Sequence, residues 1–404
     1  MDRALAIVLE AARPLPCEEV PILEAQGRVL QEEVRADDDH PRFDKALMDG
    51  YAVIASDLEG LPRTLQVIEE IPAGRDPESL SRVVPGSASR IMTGAPIPPG
   101  ADAVLMVEES EPAPGDPGSV RAKARVKAGD NLAPRGNDVR LGEVLLAPGE
   151  FVGPAEIAVL AACGRTRARV ARRPRVAVLA TGDELVEPER TPAPGQIRNS
   201  NGALLTALAR RAGAEVHYLG IAPDDDVLLR RLIARGLEAD LLLLSGGVSM
   251  GVYDLVGGAL RALGAEVRFE RVMIKPGKPF TFATRGATLV FGCPGNPVSS
   301  YVIFQVFARP ALRRMTGVPR PSPPPVRATL VAPLRQRAGR TGFHQARVRW
   351  TGSGYEVEVL PTSGSADFVS CARGNALAIV PAETTALAAG DSIEVLLLDD
   401  HADR

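Results

Sequence analysis

Residues 175–185 read RVAVLATGDEL, an apolar run that ends in a small, polar and acidic turn. Apolar runs of this length, bounded by turn residues, are typical of buried strands. Four further predicted strands, at 214–221, 239–244, 266–274 and 288–292, are interspersed with helical periodicity at 199–213, 227–236, 255–263 and 298–315. Strand, loop and helix in repeated alternation predict a three-layer α/β domain with a mostly parallel sheet.

The polar loops of this domain follow its predicted strands. They lie at 181–185, 224–226, 245–251 and 293–297, and they are rich in glycine or in carboxylates. In open α/β sheets, ligands bind outside the carboxyl ends of the strands. We therefore expect a ligand-binding site at this edge of the sheet.

The segments on either side of the α/β domain differ from it. Residues 51–146 and 326–397 show short alternating runs separated by turn residues, which is typical of β domains. Residues 319–325 form a proline-rich linker, and residues 1–34 begin with an amphipathic helix that Pro14 should end. The chain of 404 residues is thus predicted to be a multidomain α/β plus β protein.

Composition excludes several function classes. A net charge of −3 and a pI near 6.0 provide no general field for nucleic acid. Four scattered cysteines and four scattered histidines favour neither a zinc site nor a disulfide framework. No apolar run approaches membrane-span length, and the N-terminus lacks a signal-peptide pattern, so we expect a cytoplasmic protein without membrane or nucleic-acid partners.

Two of the loops combine carboxylates with flexible backbone. Glu184 lies in the first loop, the glycine-rich loop 245–249 exposes backbone N–H groups, and Asp254 follows it. Exposed N–H groups beside a helix N-terminus bind phosphate, and carboxylates beside a phosphate hold Mg²⁺. The alternative is that these carboxylates only cap helices. The pair Glu184 and Asp254, at neighbouring strand ends, favours the Mg²⁺ and phosphate interpretation.

A second candidate feature is the segment KPGKP at 275–279. Lysine is a compact point charge suited to a small oxyanion, and the chain contains only five lysines among 47 basic residues. The proline and glycine between Lys275 and Lys278 would hold a turn that points both ammonium groups to one place. The alternative is a solvated charged turn.

The third feature is the strand-to-helix turn at 293–299, which reads CPGNPVS. A helix N-terminus favours an anion, although the segment alone also fits a helix start with Asn and Ser at capping positions. No histidine lies near its serines in sequence, so a covalent nucleophile is not expected there.

Six motifs follow one another along the chain: MDGYA at 48–52, IMTGA at 91–95, TGDEL at 181–185, SGGVS at 245–249 with Asp254, KPGKP at 275–279 and PGNPVS at 294–299. The ordered set resembles the molybdopterin molybdenumtransferases, a family that includes the bacterial molybdenum-insertion enzymes and the E domain of gephyrin. The segment RGND at 135–138 is also similar. The departures, Met250 and Cys293, change no charge at the motifs.

The resemblance implies four structural units. They are an elongated N-terminal domain from 1–42 and 139–172, an inserted β domain at 43–138, the α/β molybdopterin-binding domain at 173–319 and a C-terminal β domain at 320–404. It also implies a homodimer in which Asp49 and Thr93 reach the site of the other subunit. Transient contacts with the adenylyltransferase of the preceding step and with apo-molybdoenzymes belong to the same expectation.

The resemblance further implies a reaction. Molybdenum from molybdate is inserted into adenylylated molybdopterin, AMP is released, and Mg²⁺ is required. The implied catalytic and Mg²⁺-binding residues are Glu184, Asp254 and Asp49. The implied molybdate ligands are Lys275, Lys278, Ser299, Arg340 and Ser365. The implied contacts to the pterin and the AMP phosphate are Thr93, Asp138, Thr181, Gly182, Asp224, Ser245, Gly246, Gly247, Ser249, Pro294, Gly295 and Asn296.

Two other functions compete with this one. A molybdopterin adenylyltransferase would resemble residues 173–318 alone, and the additional β domains argue against it. A non-enzymatic scaffold is the other alternative, because the E domain of gephyrin also anchors a receptor peptide. The set of acidic residues and lysines argues against scaffolding alone.

Overall fold

The computed structural model describes residues 1–247 and 255–398, and its contacts divide the chain into two compact units. The first unit comprises Met1–Gln31, Pro148–Gly153 and the chain from Arg167 onward, and the second comprises Glu32–Ala147 and Pro154–Thr166. The predicted division into four domains remains a prediction. In the described parts of the chain, no helix is long and apolar enough to cross a membrane.

A six-stranded sheet forms the centre of the first unit. Its strands, in chain order, are β1 (Arg175–Thr181), β2 (Glu215–Ala222), β3 (Leu241–Ser245), β4 (Glu266–Arg271), β5 (Pro279–Arg285) and β6 (Thr288–Cys293). Their spatial order is β2-β1-β3-β6-β5-β4. The four strands β2, β1, β3 and β6 are parallel. β5 pairs antiparallel with β6 and with β4, so β5 alone runs opposite to the other five strands of this sheet. The predicted mostly parallel sheet is confirmed.

Helices cover both faces of this sheet, because its strands are apolar on both sides. They are α1 (Ser200–Arg211), α2 (Asp226–Gly236), α3 (Leu255–Ala262), α4 (Pro297–Ile303) and α5 (Arg309–Met315), the last two joined through a π-helical segment, Phe304–Ala308. Alternate residues of β3 show the layering. Leu243 packs in the core beneath α1 and α4, and Leu242 packs in the core beneath α2 and α3. The predicted three layers are present.

The rest of the first unit surrounds this domain. Near the N-terminus are the helix Asp2–Ala11, the 3-10 turn Ile22–Ala25 and the strand Cys17–Pro21, which pairs antiparallel with Arg167–Ala171. The C-terminal part contains a second six-stranded sheet and the helix Phe368–Arg373. The strands of that sheet are Ile274–Lys275, Val326–Leu330, Thr341–Trp350, Tyr355–Val359, Ala376–Val380 and Ser392–Leu397. Short strand pairs are Leu185–Val186 with Ile197–Arg198 and Leu334–Arg335 with Ala386–Leu387.

The second unit is built on another six-stranded sheet, as its alternating sequence predicts. The strands in spatial order are Ala103–Met106, Gly50–Val53, Ser87–Ile91, Arg63–Ile71, Ser119–Ala122 and Ser110–Pro112. Short pairs join Lys45–Ala46 with Leu132–Ala133 and Val34–Arg35 with Val144–Leu146. The helix Pro154–Ala162 and the 3-10 turns Ala55–Leu58, Pro77–Ser79 and Val107–Glu109 complete it.

An aromatic cluster packs on the antiparallel side of the central sheet. The ring of Phe280 lies 5.0 Å from that of Phe307, 5.4 Å from Phe269 and 5.9 Å from Phe291, centroid to centroid. Phe280 is fully buried. Phe280→Ala should therefore lower the free energy of unfolding by about 3–5 kcal/mol, because it removes these contacts and leaves a cavity.

Denaturant unfolding of Phe280→Ala checks this prediction. Phe368→Ala is the matched control, because Phe368 is 59% exposed and its removal should change stability by less than about 0.5 kcal/mol. Equal losses in the two variants would contradict the packing described here.

Candidate functional site

The carboxyl ends of β1 and β3 mark the point where the strand order reverses, with β2 on one side and β3 on the other side of β1. A crevice of about 410 Å³ lies there. Its lining residues are Thr181, Gly182, Glu184, Asp224, Leu229, Gly247, Leu255 and Val256. Such switch points are where open α/β sheets bind ligands. Five of the predicted site residues therefore lie around one cavity.

The two glycines after β3 are required by a close approach to β1. A Cβ atom on Gly246 would lie 2.3 Å from the carbonyl oxygen of Thr181, and one on Gly247 would lie 2.7 Å from its Oγ1. Both glycines also have positive φ, +92° and +65°. Only glycine combines this conformation with so little space. The loop after β3 thus presents bare backbone at the crevice.

The carboxylates beside the crevice differ in their hydrogen-bond partners. Asp225 caps α2, since its side chain accepts a hydrogen bond from Leu228 N at 2.8 Å. Asp183 accepts from Asp224 N at 3.0 Å and so holds the start of this loop. Glu184 and Asp224 line the crevice, and the Glu184 carboxylate lies over Gly182, where a Cβ atom would meet it at 2.3 Å. Helix capping thus explains Asp225. Glu184 and Asp224 cap no helix and remain as exposed carboxylates at the cavity.

The predicted partners Ser249 and Asp254 lie outside the described residues. Within residues 1–247 and 255–398, no three His, Cys, Asp or Glu side chains form a group that could hold a metal ion. Mg²⁺ commonly binds through one or two carboxylates together with substrate phosphates and water. The pair Glu184 and Asp224, which offers only oxygen donors, fits that mode of binding.

The lysine turn pairs with the C-terminal β sheet. Strand Ile274–Lys275 runs parallel to Thr341–Trp350, with Ile274 opposite Thr341, so Arg340 directly precedes the strand that pairs with Lys275. Both Lys275 and Arg340 are half-buried, and Lys278 is exposed. Burial of the imidazole is the larger cause and the charge of Lys275 the smaller cause of a lowered pKa of His344. The imidazole is therefore kept neutral beside the lysine.

The lysine turn also contacts α4. A Cβ atom on Gly277, whose φ is +109°, would lie 3.2 Å from Ile274 Cδ1 and 3.3 Å from Ile303 Cγ1. Ile303 lies one helical turn after Ser299, which is buried near the start of α4. One helix thus contacts the lysine turn and carries the predicted serine.

The start of α4 is held by the C-terminal sequence. Val298 N donates to the carbonyl oxygen of Ser365 at 3.1 Å, and Asn296 Nδ2 donates to Ser365 Oγ at 2.9 Å. Asn296 occupies the N-cap position of α4, as the sequence predicts, but its side chain makes no capping bond. Ser300 Oγ instead turns back to the carbonyl oxygen of Pro294 at 2.7 Å. Ser365 is therefore brought to the PGNP turn.

Cys293 and Ser300, at the two ends of this turn, are poorly placed to act as nucleophiles. Cys293 is fully buried, and burial raises the pKa of its thiol to about 12. Ser300 already donates to Pro294. These two side chains therefore give no support to covalent chemistry, and the absence of a covalent nucleophile at the turn stays a prediction.

Asp49, Thr93 and Asp138 belong to the second unit. Thr93 donates to Asp49 Oδ1 through both its backbone N and its Oγ1, each at 2.7 Å. These bonds lower the pKa of Asp49 and keep it ionised. Asp138 is exposed and accepts from Asn137 Nδ2 at 2.9 Å.

Asn201 was not among the predicted site residues. Its side chain, at the beginning of α1, donates to Ser245 Oγ at 2.8 Å and to the carbonyl oxygen of Gly295 at 2.7 Å. It thereby contacts two of the predicted loops. The sequence offers one signal for it: Asn199 already caps α1 through a bond from Gly202 N, so a second asparagine two residues later serves another purpose.

Comparisons with known proteins cover the whole of this architecture. Residues 1–164 match the family described as MoeA N-terminal region (domain I and II), residues 177–314 match the probable molybdopterin binding domain, and residues 327–398 match the MoeA C-terminal region (domain IV). Molybdopterin molybdenumtransferase 2 of Mycobacterium tuberculosis is 37% identical over 98% of this chain and 97% of its own length. The chain belongs to the molybdopterin molybdenumtransferase family.

A further relative and a solved structure lead to the same family. The enzyme of that name from Staphylococcus epidermidis is 33% identical over 94% of this chain and 90% of its own length. The crystal structure of the molybdopterin biosynthesis protein moeA from Pyrococcus horikoshii superposes with a TM-score of 0.83 at 30% identity and covers 98% of both chains. The family and the multidomain fold class inferred from the motifs are confirmed.

The close approach of Gly246 to Thr181 can be tested without a ligand. Gly246→Ala should destabilise the protein through positive φ and through the clash with Thr181. Gly213→Ala is the control, because Gly213 has φ +84° but no atom within 4 Å of a Cβ. We expect a loss of about 1–2 kcal/mol in the control from φ alone and a further 1–3 kcal/mol in Gly246→Ala. Equal losses in urea unfolding would show that the loop does not approach β1 so closely.

Proposed function

We propose that the protein inserts molybdenum from molybdate into adenylylated molybdopterin, with release of AMP and with a requirement for Mg²⁺. The observation that carries the proposal is the crevice that gathers Glu184, Asp224 and the bare backbone of Gly247 at the switch point. These groups suit an adenylate phosphate with its counter-ion. The names of the relatives supply the substrate class.

The adenylate end of the substrate is proposed to lie over the loops after β1 and β3. The N–H group of Gly247 would donate to its phosphate oxygens, and Thr181 and Gly182 would line the opposite wall. Gly246 N already donates to the carbonyl oxygen of Cys293 at 3.2 Å, so Gly246 would serve through the space that its missing side chain leaves. Glu184, with Asp224 nearby, would hold Mg²⁺ through its oxygen atoms. Asp254 and Ser249, outside the described residues, are assigned here by family resemblance alone.

Molybdate is proposed to bind between the lysine turn and the start of α4. Lys275, Lys278 and Arg340 supply positive charge, and Ser299 and Ser365 supply hydroxyl groups. The proposal is supported by the pairing of Lys275 with the strand after Arg340 and by the contact of Ser365 with Val298. Cations fixed around the oxyanion offset its charge while it meets an anionic substrate.

A homodimer is also proposed, in which Asp49 and Thr93 of each subunit serve the site of the other. Asp49 is held as an ionised acceptor by Thr93, which supports a role at a cation or a polar ligand. Asp138, in the same unit, is proposed to contact substrate. Transient contacts with the adenylyltransferase and with apo-molybdoenzymes follow from the chemistry, because one makes the substrate and the others take up the product. The four-domain division is proposed on the same family resemblance.

Incubation of the protein with adenylylated molybdopterin, Mg²⁺ and molybdate tests the proposed function. We expect AMP release that requires molybdate and that stops when Mg²⁺ is chelated. If instead unmodified molybdopterin and ATP gave adenylylated product, the protein would be an adenylyltransferase. If neither mixture reacted, the scaffold function would be favoured.

Replacement of Lys275 should weaken molybdate binding and leave AMP binding intact. Lys275→Ala should raise the molybdate concentration for half-maximal AMP release by about 10-fold or more, because a charge-assisted hydrogen bond is lost. AMP affinity, measured by calorimetry, should change by less than about twofold because the adenylate loops are intact. Lys127→Ala, at an exposed lysine of the second unit, is the control. Unchanged use of low molybdate by Lys275→Ala would remove Lys275 from the oxyanion site.

A further inference from the structure

The side chain of Asn201 joins two strand ends. Ser245 ends β3 and Gly295 follows β6, and these two strands are neighbours, with Ser245 opposite Cys293 in register. The Nδ2 atom of Asn201 lies 2.8 Å from Ser245 Oγ and 2.7 Å from Gly295 O. One carboxamide from α1 therefore binds both loops at once.

The orientation of this carboxamide follows from its partners. The carbonyl oxygen of Gly295 can only accept, so the nitrogen of Asn201 must face it. The second N–H of the same nitrogen then points to Ser245 Oγ, which accepts and keeps its own proton for another acceptor. Both donors of Asn201 are thus committed to the two loops.

Asn296, the residue after Gly295, connects the PGNP turn to Ser365. Asn296 Nδ2 donates to Ser365 Oγ, and Ser365 O accepts from Val298 N. Contacts therefore run from the glycine-rich loop through Asn201 to the PGNP turn, and from that turn to Ser365. The first loop is the proposed adenylate end and the last residue belongs to the proposed molybdate end.

Stability alone does not explain an asparagine at this position. Asn199 already caps the helix, and Asn201 is only 7% exposed. Its Oδ1 atom is buried and has no hydrogen-bond partner among the described residues. A buried acceptor without a partner is unfavourable and offsets part of the stability that the two donated hydrogen bonds contribute.

We propose that Asn201 is a positioning residue that fixes the distance between the adenylate end and the molybdate end of the site. This inference rests on the proposed function. Asn201 acts through Ser245 and Gly295 and need not touch the substrate. Its loss should leave each end able to bind and should impair the step that needs both.

Asn201→Ala and Asn201→Asp test the inference. The first removes the carboxamide, and the second keeps its shape but replaces the N–H donors with a carboxylate that repels Gly295 O. We expect kcat for AMP release to fall by about 100-fold in both, because small displacements of reacting groups have effects of that size. Affinities for AMP alone and for molybdate alone, measured by calorimetry, should stay within about threefold of the original protein.

Two further variants complete the design. Asn199→Asp makes the same chemical change two residues earlier and keeps the capping oxygen, but it loses the bond from Asn199 Nδ2 to the Tyr218 hydroxyl at 2.8 Å. We therefore expect a lower Tm in this control, with kcat within about twofold of the original protein because neither loop is contacted. In a double-mutant cycle, Ser245→Ala with Asn201→Ala should lower kcat little beyond Asn201→Ala alone, because both act on one contact.

The variants of Asn201 test its positioning role, whereas the unaltered protein tests the proposed function. A kcat within twofold of the original in Asn201→Ala would overturn the positioning role. Loss of affinity for both AMP and molybdate, with a lowered Tm and additive effects in the cycle, would show a merely structural residue and would also overturn it. If the unaltered protein released no AMP with molybdate, the proposed function itself would fail.

Discussion

The close approach of the loop after β3 to the end of β1 is the constraint on which the site depends. Gly246 and Gly247 occupy space that no side chain could share with Thr181. Their backbone therefore forms one wall of the crevice, and the loop of Glu184 and Asp224 forms another. The arrangement follows from a parallel sheet whose order reverses at β1.

The second half of the candidate site depends on contacts between the α/β domain and the C-terminal sheet. Lys275 belongs to a strand that pairs with that sheet, although the lysine turn lies between β4 and β5 in sequence. Ser365 reaches back to the first turn of α4. Because both contacts lie within one unit, the C-terminal sequence supports the lysine turn and the PGNP turn from one side.

Much of this edge could be predicted from the sequence. Thr181, Asp224 and Gly247 follow apolar runs, and parallel strands end at the same edge, so these residues had to converge. Asp225 could likewise be recognised as a helix cap from its position before an apolar periodic segment. These predictions need only local pattern and one rule of topology.

Other features depend on long-range contacts that local pattern does not encode. Asn296 reads as a helix cap, yet its side chain bonds Ser365, a residue 69 positions later. Asn201 reads as part of a cap as well, and only the register of β3 with β6 places Ser245 and Gly295 within its reach.

In the proposed function, the crevice at the ends of β1 and β3 holds the adenylate. A crystal structure of the protein with AMP, Mg²⁺ and molybdate tests this most directly. We predict the AMP phosphate within hydrogen-bond distance of the Gly247 N–H group, and Mg²⁺ bound by Glu184. An AMP molecule bound away from the carboxyl edge of the sheet, with these groups free, would contradict it.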